Sequence, residues 1–269
     1  MAKGDPVHGV QTERPRKNAK LKGYGPSTFG ELNAENYDIY YPTDAGTLES
    51  VDVLADLAAG GKVLELAIGT GRVALPLAAR GLSLSGIDAS RDMIAKLKEK
   101  PGGESIAVAV GDIADVAVDG EYDLIFLVFN TLFNLTSQDD QVRCFANVAR
   151  HLTRRGVFVL EAFVPDVAHF VDRDRVRTVE VTFGRAVLEA SVHDPVTQTI
   201  NYQYIMATRD GMRLIPLPLR YAWPSEIDLM ARLAGLELRQ RWGGWDRSAF
   251  VATSAKHVSV YGWARAETS

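Results

Sequence analysis

Two acids and two glycines stand where they could shape a nucleotide site: Glu65, Gly69 and Gly71, then Asp88, 17 residues past Gly71. A tight strand-to-helix turn needs glycine, because a side chain clashes at positive φ and keeps a ligand off the backbone. Asp88 ends a second apolar run, close to the roughly 20-residue offset of a carboxylate that accepts from ribose hydroxyls. A dinucleotide-binding turn would carry three glycines and seat a pyrophosphate at the helix N-terminus. Here the spacing is Glu65-x-Ala67-x-Gly69-x-Gly71. A carboxylate aimed into the pocket repels pyrophosphate and suits a cationic ligand.

Residues further along could serve an acceptor. Glu161, near the carboxyl end of an apolar strand, and His169 after it are the candidate bases, although a lone histidine is more often structural. Asn130 could orient a substrate or cap a turn, and Phe133 could wall it. Tyr41 and Trp245 are further candidates for that wall, with core packing as the competing use of these rings. No histidine or cysteine cluster has metal-ligand spacing, so no metal is expected.

The run from Glu65 to Gly71 resembles the first motif of the class I S-adenosylmethionine-dependent methyltransferases, with Ala67 where that family usually has glycine. The segment Gly86 to Met93 is similar to the second motif, Val110 to Ile113 to the third and Tyr122 to Phe129 to the fourth strand, in family order over residues 61 to 163. The resemblance implies S-adenosyl-L-methionine as cofactor and S-adenosyl-L-homocysteine as product. It implies a first-motif cradle of Glu65, Ala67, Gly69, Thr70, Gly71 and Arg72 for the cationic methionyl end. It also implies Asp88 and Ala89 at the ribose, and Met93, Asp112 and Ile113 around the adenine. Phe129 would stand at the end of the fourth strand, and Tyr37, in Asn36-Tyr37-Asp38, would close over the cofactor or join a packed aromatic face. A sulfonium methyl is already activated, so the protein must bring a nucleophile in line at about 3 Å with water removed, orientation that can lower the barrier by roughly 7 to 11 kcal/mol. An amine acceptor needs no strong base, whereas a hydroxyl needs one within hydrogen-bond reach.

The elements that must position these residues follow from pattern switches. Phe29 to Tyr41 predicts one or two short helices ended by Pro42, and residues 48–59 a helix with Val51, Leu54, Ala55 and Ala58 on one face. Strands predicted near 62–66, 82–87, 105–110, 122–129 and 156–162 alternate with helices near 72–80, 91–99 and 138–151. Near-continuous apolar strands interleaved with helices imply a parallel sheet covered on both faces. After Pro165 the stretches 176–183, 186–193, 199–208 and 212–221, separated by turn signals, predict an antiparallel insertion. Ser225 predicts the N-cap of a helix that ends before Gly235, and 236–242 and 258–263 supply the last strands. The expected fold class is α/β, a doubly wound Rossmann-like seven-stranded sheet with an antiparallel β insertion, or lid, after the fifth strand. Such a lid resembles that of small-molecule members of the family, including the amino-sugar and glycine N-methyltransferases. The expected division is a flexible basic tail at 1–23, a cofactor-binding core at 24–172 and 224–269, and the lid at 173–223.

Composition narrows the partners. A chain of 269 residues with 46% hydrophobic content can bury one large core plus an embellishment. No apolar run approaches the roughly 18 residues of a membrane span and no hydrophobic signal segment opens the chain, so no membrane partner is expected. Cys144 is the only cysteine, which excludes an intrachain disulfide and fits a reducing cytoplasm. The first 22 residues hold six basic and two acidic side chains, an excess of four, which leaves the remainder at −8 against a whole-chain charge of −4. An acidic body disfavours nucleic acid, whose affinity comes largely from neutralised phosphates. The expected function is methyl transfer to a nitrogen or oxygen of a small molecule. The alternatives are a protein or nucleic-acid methyltransferase using the basic arm, and a cofactor-binding protein with another role. An apolar lid could also pair two copies into a homodimer.

Overall fold

The computed structural model of the chain describes residues 23–115, 117–166 and 174–264. The tail expected over 1–23 therefore lies outside them, apart from Gly23, and so does His169. Three short helical segments, α1 (Thr28–Asn33), a 3-10 turn (Ala34–Asn36) and α2 (Tyr37–Tyr40), precede α3 (Ala45–Ala58), whose Asp44 cap accepts from Thr47 N–H. The alternation then runs β1 (Lys62–Leu66), α4 (Ala74–Ala79), β2 (Ser83–Asp88), α5 (Arg91–Lys98), β3 (Ala107–Val110), β4 (Tyr122–Leu127), α6 (Gln138–Arg150) and β5 (Leu152–Phe163). Four strands follow, β6 (Asp174–Val181), β7 (Arg185–Asp194), β8 (Thr199–Thr208) and β9 (Gly211–Arg220), then α7 (Pro224–Leu233), β10 (Leu236–Trp242) and β11 (Lys256–Trp263).

The larger sheet has seven strands in the order β10-β11-β5-β4-β1-β2-β3. Every neighbouring pair is parallel except those of β11, which runs antiparallel to both β5 and β10. The chain steps outward from β1 through β2 to β3 and then returns to the other side of β1 as β4. The crevice at the carboxyl ends of β1 and β4 is the topological switch point, where open α/β sheets bind ligands. One face of the sheet is covered by α6 and α7 through Phe145, Val148, Ile227 and Met230. The other is covered by α3, α4 and α5 through Val51, Leu54, Leu77 and Leu97. Both faces are buried, which is why β1 and β4 read as continuous apolar runs.

Several boundaries shift by a few residues from expectation, two of them for a visible reason. Pro224 takes the first position of α7, with extended Trp223 before it, so Ser225 lies inside the helix and caps nothing. Strand β5 begins at Leu152 instead of 156, because Leu152 pairs with Tyr122 ahead of a register shift in β4.

The second sheet is the antiparallel ladder β6-β7-β8-β9. A buried polar joint ties its base to the core. Arg220 at the end of β9 donates to Gln141 of α6 at 2.6 Å and to Glu226 of α7 at 2.7 Å, while Gln141 donates back to the Arg220 carbonyl at 2.8 Å. A buried charge persists only when paired in this way.

Candidate active site

At the switch point β1 runs into a turn with Ala67, Gly69 and Gly71 all at positive φ, 58°, 55° and 83°. A Cβ on Gly71 would run into the Leu97 side chain, so this turn needs glycine for space as well as conformation. Ala67 adopts the left-handed conformation despite its methyl group. Asp88 braces the turn from β2: one oxygen accepts from Gly69 N–H at 2.8 Å and the other from Ser90 N–H at 2.8 Å. Burial pushes its carboxyl up, against the pull of those N–H donors. Ser90 in turn caps α5 through Met93 N–H. A cavity of about 400 Å³ opens here, with Ala67, Asp88, Ala89, Asp112 and Ile113 on its floor and Phe29, Leu219 and Pro218 from the N-terminal segment and lid.

Beside that cavity lies a second cluster, built around Arg72. Its guanidinium carbon stands 3.6 Å from the Phe129 ring centroid, 5.8 Å from Tyr37 and 6.0 Å from Tyr41. Glu65 projects from β1 into the same region, is 4% exposed, and leaves Oε2 without a hydrogen-bond partner. Burial holds its carboxyl well above the usual range and the Asp88 charge adds to this, against the Arg72 charge and the Ala74 N–H. Burial likewise raises the Tyr37 and Tyr41 phenols. The N-terminal segment is pinned across the first turn by Asp38, which accepts from the Thr70 hydroxyl at 2.6 Å and pairs with Lys100 at 2.6 Å. Lys100 also donates to the Thr70 carbonyl at 2.8 Å. Lys100 carried no motif signal and Asp38 only its place beside Tyr37, so their meeting marks them.

The other expected residues disperse. Met93 is buried beneath α1, whose Gly30 leaves no room for a Cβ against Ser90 and Met93, and is not among the cavity-lining side chains. Trp245 is buried in the hydrophobic cluster of the α3 face, with Val258 and Val260, the packing use of its ring. Phe133 is fully buried in the opposite cluster, edge-on to Phe163 with ring centroids 4.8 Å apart. Tyr41 stays partly exposed beside Tyr37, ring centroids 4.9 Å apart. Asn130 holds the end of β5, its Oδ1 accepting from Phe163 N–H at 2.6 Å. Glu161 has both oxygens engaged, one by Phe129 N–H at 3.1 Å and the other by Lys256 at 3.0 Å.

The lid adds a constellation that the sequence reading missed. Glu189 is buried on the face of β7 that packs toward the core and receives two hydrogen bonds of 2.7 Å from Arg177 of β6. Tyr204, its register partner on β8, stacks with Tyr202 at 6.3 Å, and burial raises its phenol. Met206 on the same face accepts from the Tyr40 hydroxyl at 3.3 Å, joining the lid to the N-terminal segment. Alternation along β7 and β8 signals an inward face, but not which charges meet on it. Among the described residues no group of histidine, cysteine and carboxylate side chains could hold a metal ion.

Residues 63–156 match a family model described as a methyltransferase domain. The solved CcbJ methyltransferase from Streptomyces caelestis is 38% identical, with a TM-score of 0.85 over 90% of this chain and 100% of that one. The chain belongs to the class I S-adenosylmethionine-dependent methyltransferases. The cypemycin N-terminal methyltransferase of a Streptomyces species is 27% identical to this methyltransferase over 249 residues, 87% of this chain and 97% of that protein. The S-adenosylmethionine-bound CalS10 from Micromonospora echinaspora, an amino pentose methyltransferase, shares the fold at 20% identity and a TM-score of 0.62, over 83% of this chain and 95% of that one. The cofactor of the methyltransferase is S-adenosylmethionine, and the cradle fits it: an unpartnered buried oxygen on Glu65 and an arginine in an aromatic box offer both signs of charge beside a nucleoside-sized cavity. No helix among the described residues is long and apolar enough to cross a membrane.

Proposed function

We propose that this methyltransferase methylates an amine nitrogen of a small molecule. Asp88 accepts from the ribose hydroxyls, Ala89 and Ile113 flank the adenine, and Asp112 accepts from its amino group. At the other end Arg72 pairs with the methionyl carboxylate, and the free Glu65 oxygen accepts from the ammonium. Bound there, the cofactor supplies a methyl group already activated by its sulfonium charge. The protein's own contribution is orientation and exclusion of water, with the lid and the N-terminal segment forming the roof.

The observation that carries the nitrogen reading is the state of Glu161. A hydroxyl must lose its proton as it attacks, so it needs a base within reach. Of the two expected bases, Glu161 already accepts at both oxygens, and His169 lies outside the described residues. A neutral amine brings its own lone pair and sheds its proton after transfer. The names of two relatives, a peptide N-terminal methyltransferase and an amino pentose methyltransferase, support the same class of acceptor. The test is incubation with methyl-labelled cofactor and paired acceptors, amino sugars and short peptides against their hydroxyl counterparts. Label on the amines alone is expected. Label on oxygen, or only on protein or nucleic acid, overturns the reading.

A further inference from the structure

Phe129 and Asn130 are consecutive non-glycine residues in the left-handed region, at φ 57° and 64°. Such a pair persists only where its surroundings over-determine it. The end of β5 does so. Phe129 N–H donates to Glu161 Oε2 at 3.1 Å, Asn130 N–H to the Glu161 carbonyl at 3.3 Å, and Phe163 N–H to Asn130 Oδ1 at 2.6 Å. Lys256, on the neighbouring strand β11, fixes the other Glu161 oxygen at 3.0 Å. The turn so held puts the Phe129 ring 3.6 Å from the Arg72 guanidinium, much nearer than either tyrosine. Among the described residues Arg72 makes no ion pair, and Phe129 is the aromatic ring nearest its guanidinium.

We propose that Glu161 and Lys256 are positioning residues for the cofactor's carboxylate-bearing end, acting through the Phe129 turn on Arg72. The inference rests on the assignment of Arg72 to the methionyl carboxylate. The link to Arg72 has two steps. Lys256 holds the Glu161 carboxylate, and the carboxylate holds the Phe129 backbone in the turn that carries its ring beside the guanidinium. A charge-assisted bond to a backbone N–H is stronger than a neutral one, so the lysine matters as well as the acid. The adenosine end is braced independently through Asp88 and Gly69.

The test compares two ligands by calorimetry on the full chain. S-adenosylhomocysteine carries the aminobutyrate end, and 5′-methylthioadenosine has the same nucleoside and sulfur without it. Glu161→Ala should weaken S-adenosylhomocysteine about tenfold and methylthioadenosine less than about twofold. Glu161→Gln, which retains an acceptor for Phe129 N–H, should recover part of the loss. Lys256→Met changes a half-exposed side chain and serves if Glu161→Ala fails to fold; it should show the same selectivity at smaller size. Equal losses for both ligands, or none, overturn the proposal. If Arg72→Ala weakens both ligands alike, the carboxylate assignment falls and the relay with it. Failure of the unaltered chain to bind S-adenosylhomocysteine instead overturns the cofactor assignments themselves.

Discussion

Asp88 and Gly69 are joined by a hydrogen bond of 2.8 Å from the glycine N–H to the carboxylate, linking the end of β2 to the turn after β1. One side chain thus shapes the cradle and presents its remaining lone pairs to it. Asp88→Ala should lower affinity for S-adenosylhomocysteine and methylthioadenosine equally, by roughly 30- to 100-fold, the scale of two or more lost charge-assisted hydrogen bonds. Calorimetry with both ligands checks this, and a loss confined to one of them contradicts the assignment.

Glu65 gives a prediction with a definite sign. Its carboxyl is raised by burial, so the folded chain holds that proton to higher pH than the unfolded chain. Stability therefore falls as pH climbs from the ordinary glutamate value of about 4.3 through the raised one. Glu65→Gln should remove this dependence and raise the ligand-free Tm at neutral pH by about 2–4 °C, while weakening S-adenosylhomocysteine. Thermal melts between pH 4 and 8, with and without ligand, check both halves.

Asp38 has the opposite sign. Burial works to raise its carboxyl, but hydrogen bonds from Lys100 and Thr70 and the charges of Lys100 and Arg72 hold it below the usual aspartate range. The stabilisation it gives is present above the unfolded value and disappears as pH falls through the lowered one. Asp38→Asn should release the segment around Tyr37 and Tyr41 already at neutral pH. Hydrogen exchange would show lower protection of residues 37–41 in this variant, with β1 unaffected.

The turn itself separates two small substitutions. Gly71→Ala forces a Cβ into Leu97 at φ 83° and should cost about 2–4 kcal/mol. Ala67→Gly relieves a left-handed alanine and should be neutral or stabilising by up to about 1 kcal/mol. Urea unfolding of the two variants measures the difference.

The parts legible in the sequence are those whose physics is local. Glycines at Gly69 and Gly71, a carboxylate at each strand end, apolar runs of strand length and the turn signals of β6 to β9 are all set within a few residues of one another. Backbone conformation and burial period act over that range, so the seven-stranded sheet and its four-stranded companion could be read directly.

What only the tertiary structure decided is which long side chains meet. Lys256 finds Glu161 across a strand pairing, and the same carboxylate accepts from the Phe129 N–H. Arg177 and Glu189 meet on the lid, and Asp38 meets Lys100 across the cofactor turn. Trp245 sinks into the core, which its loop composition left open beside an acceptor wall. Such partners are distant in the chain and brought together by strand register and face, where a slip of one residue reverses every side chain. Local sequence fixes a residue's own conformation and period; it holds no record of what stands opposite until the sheet has closed.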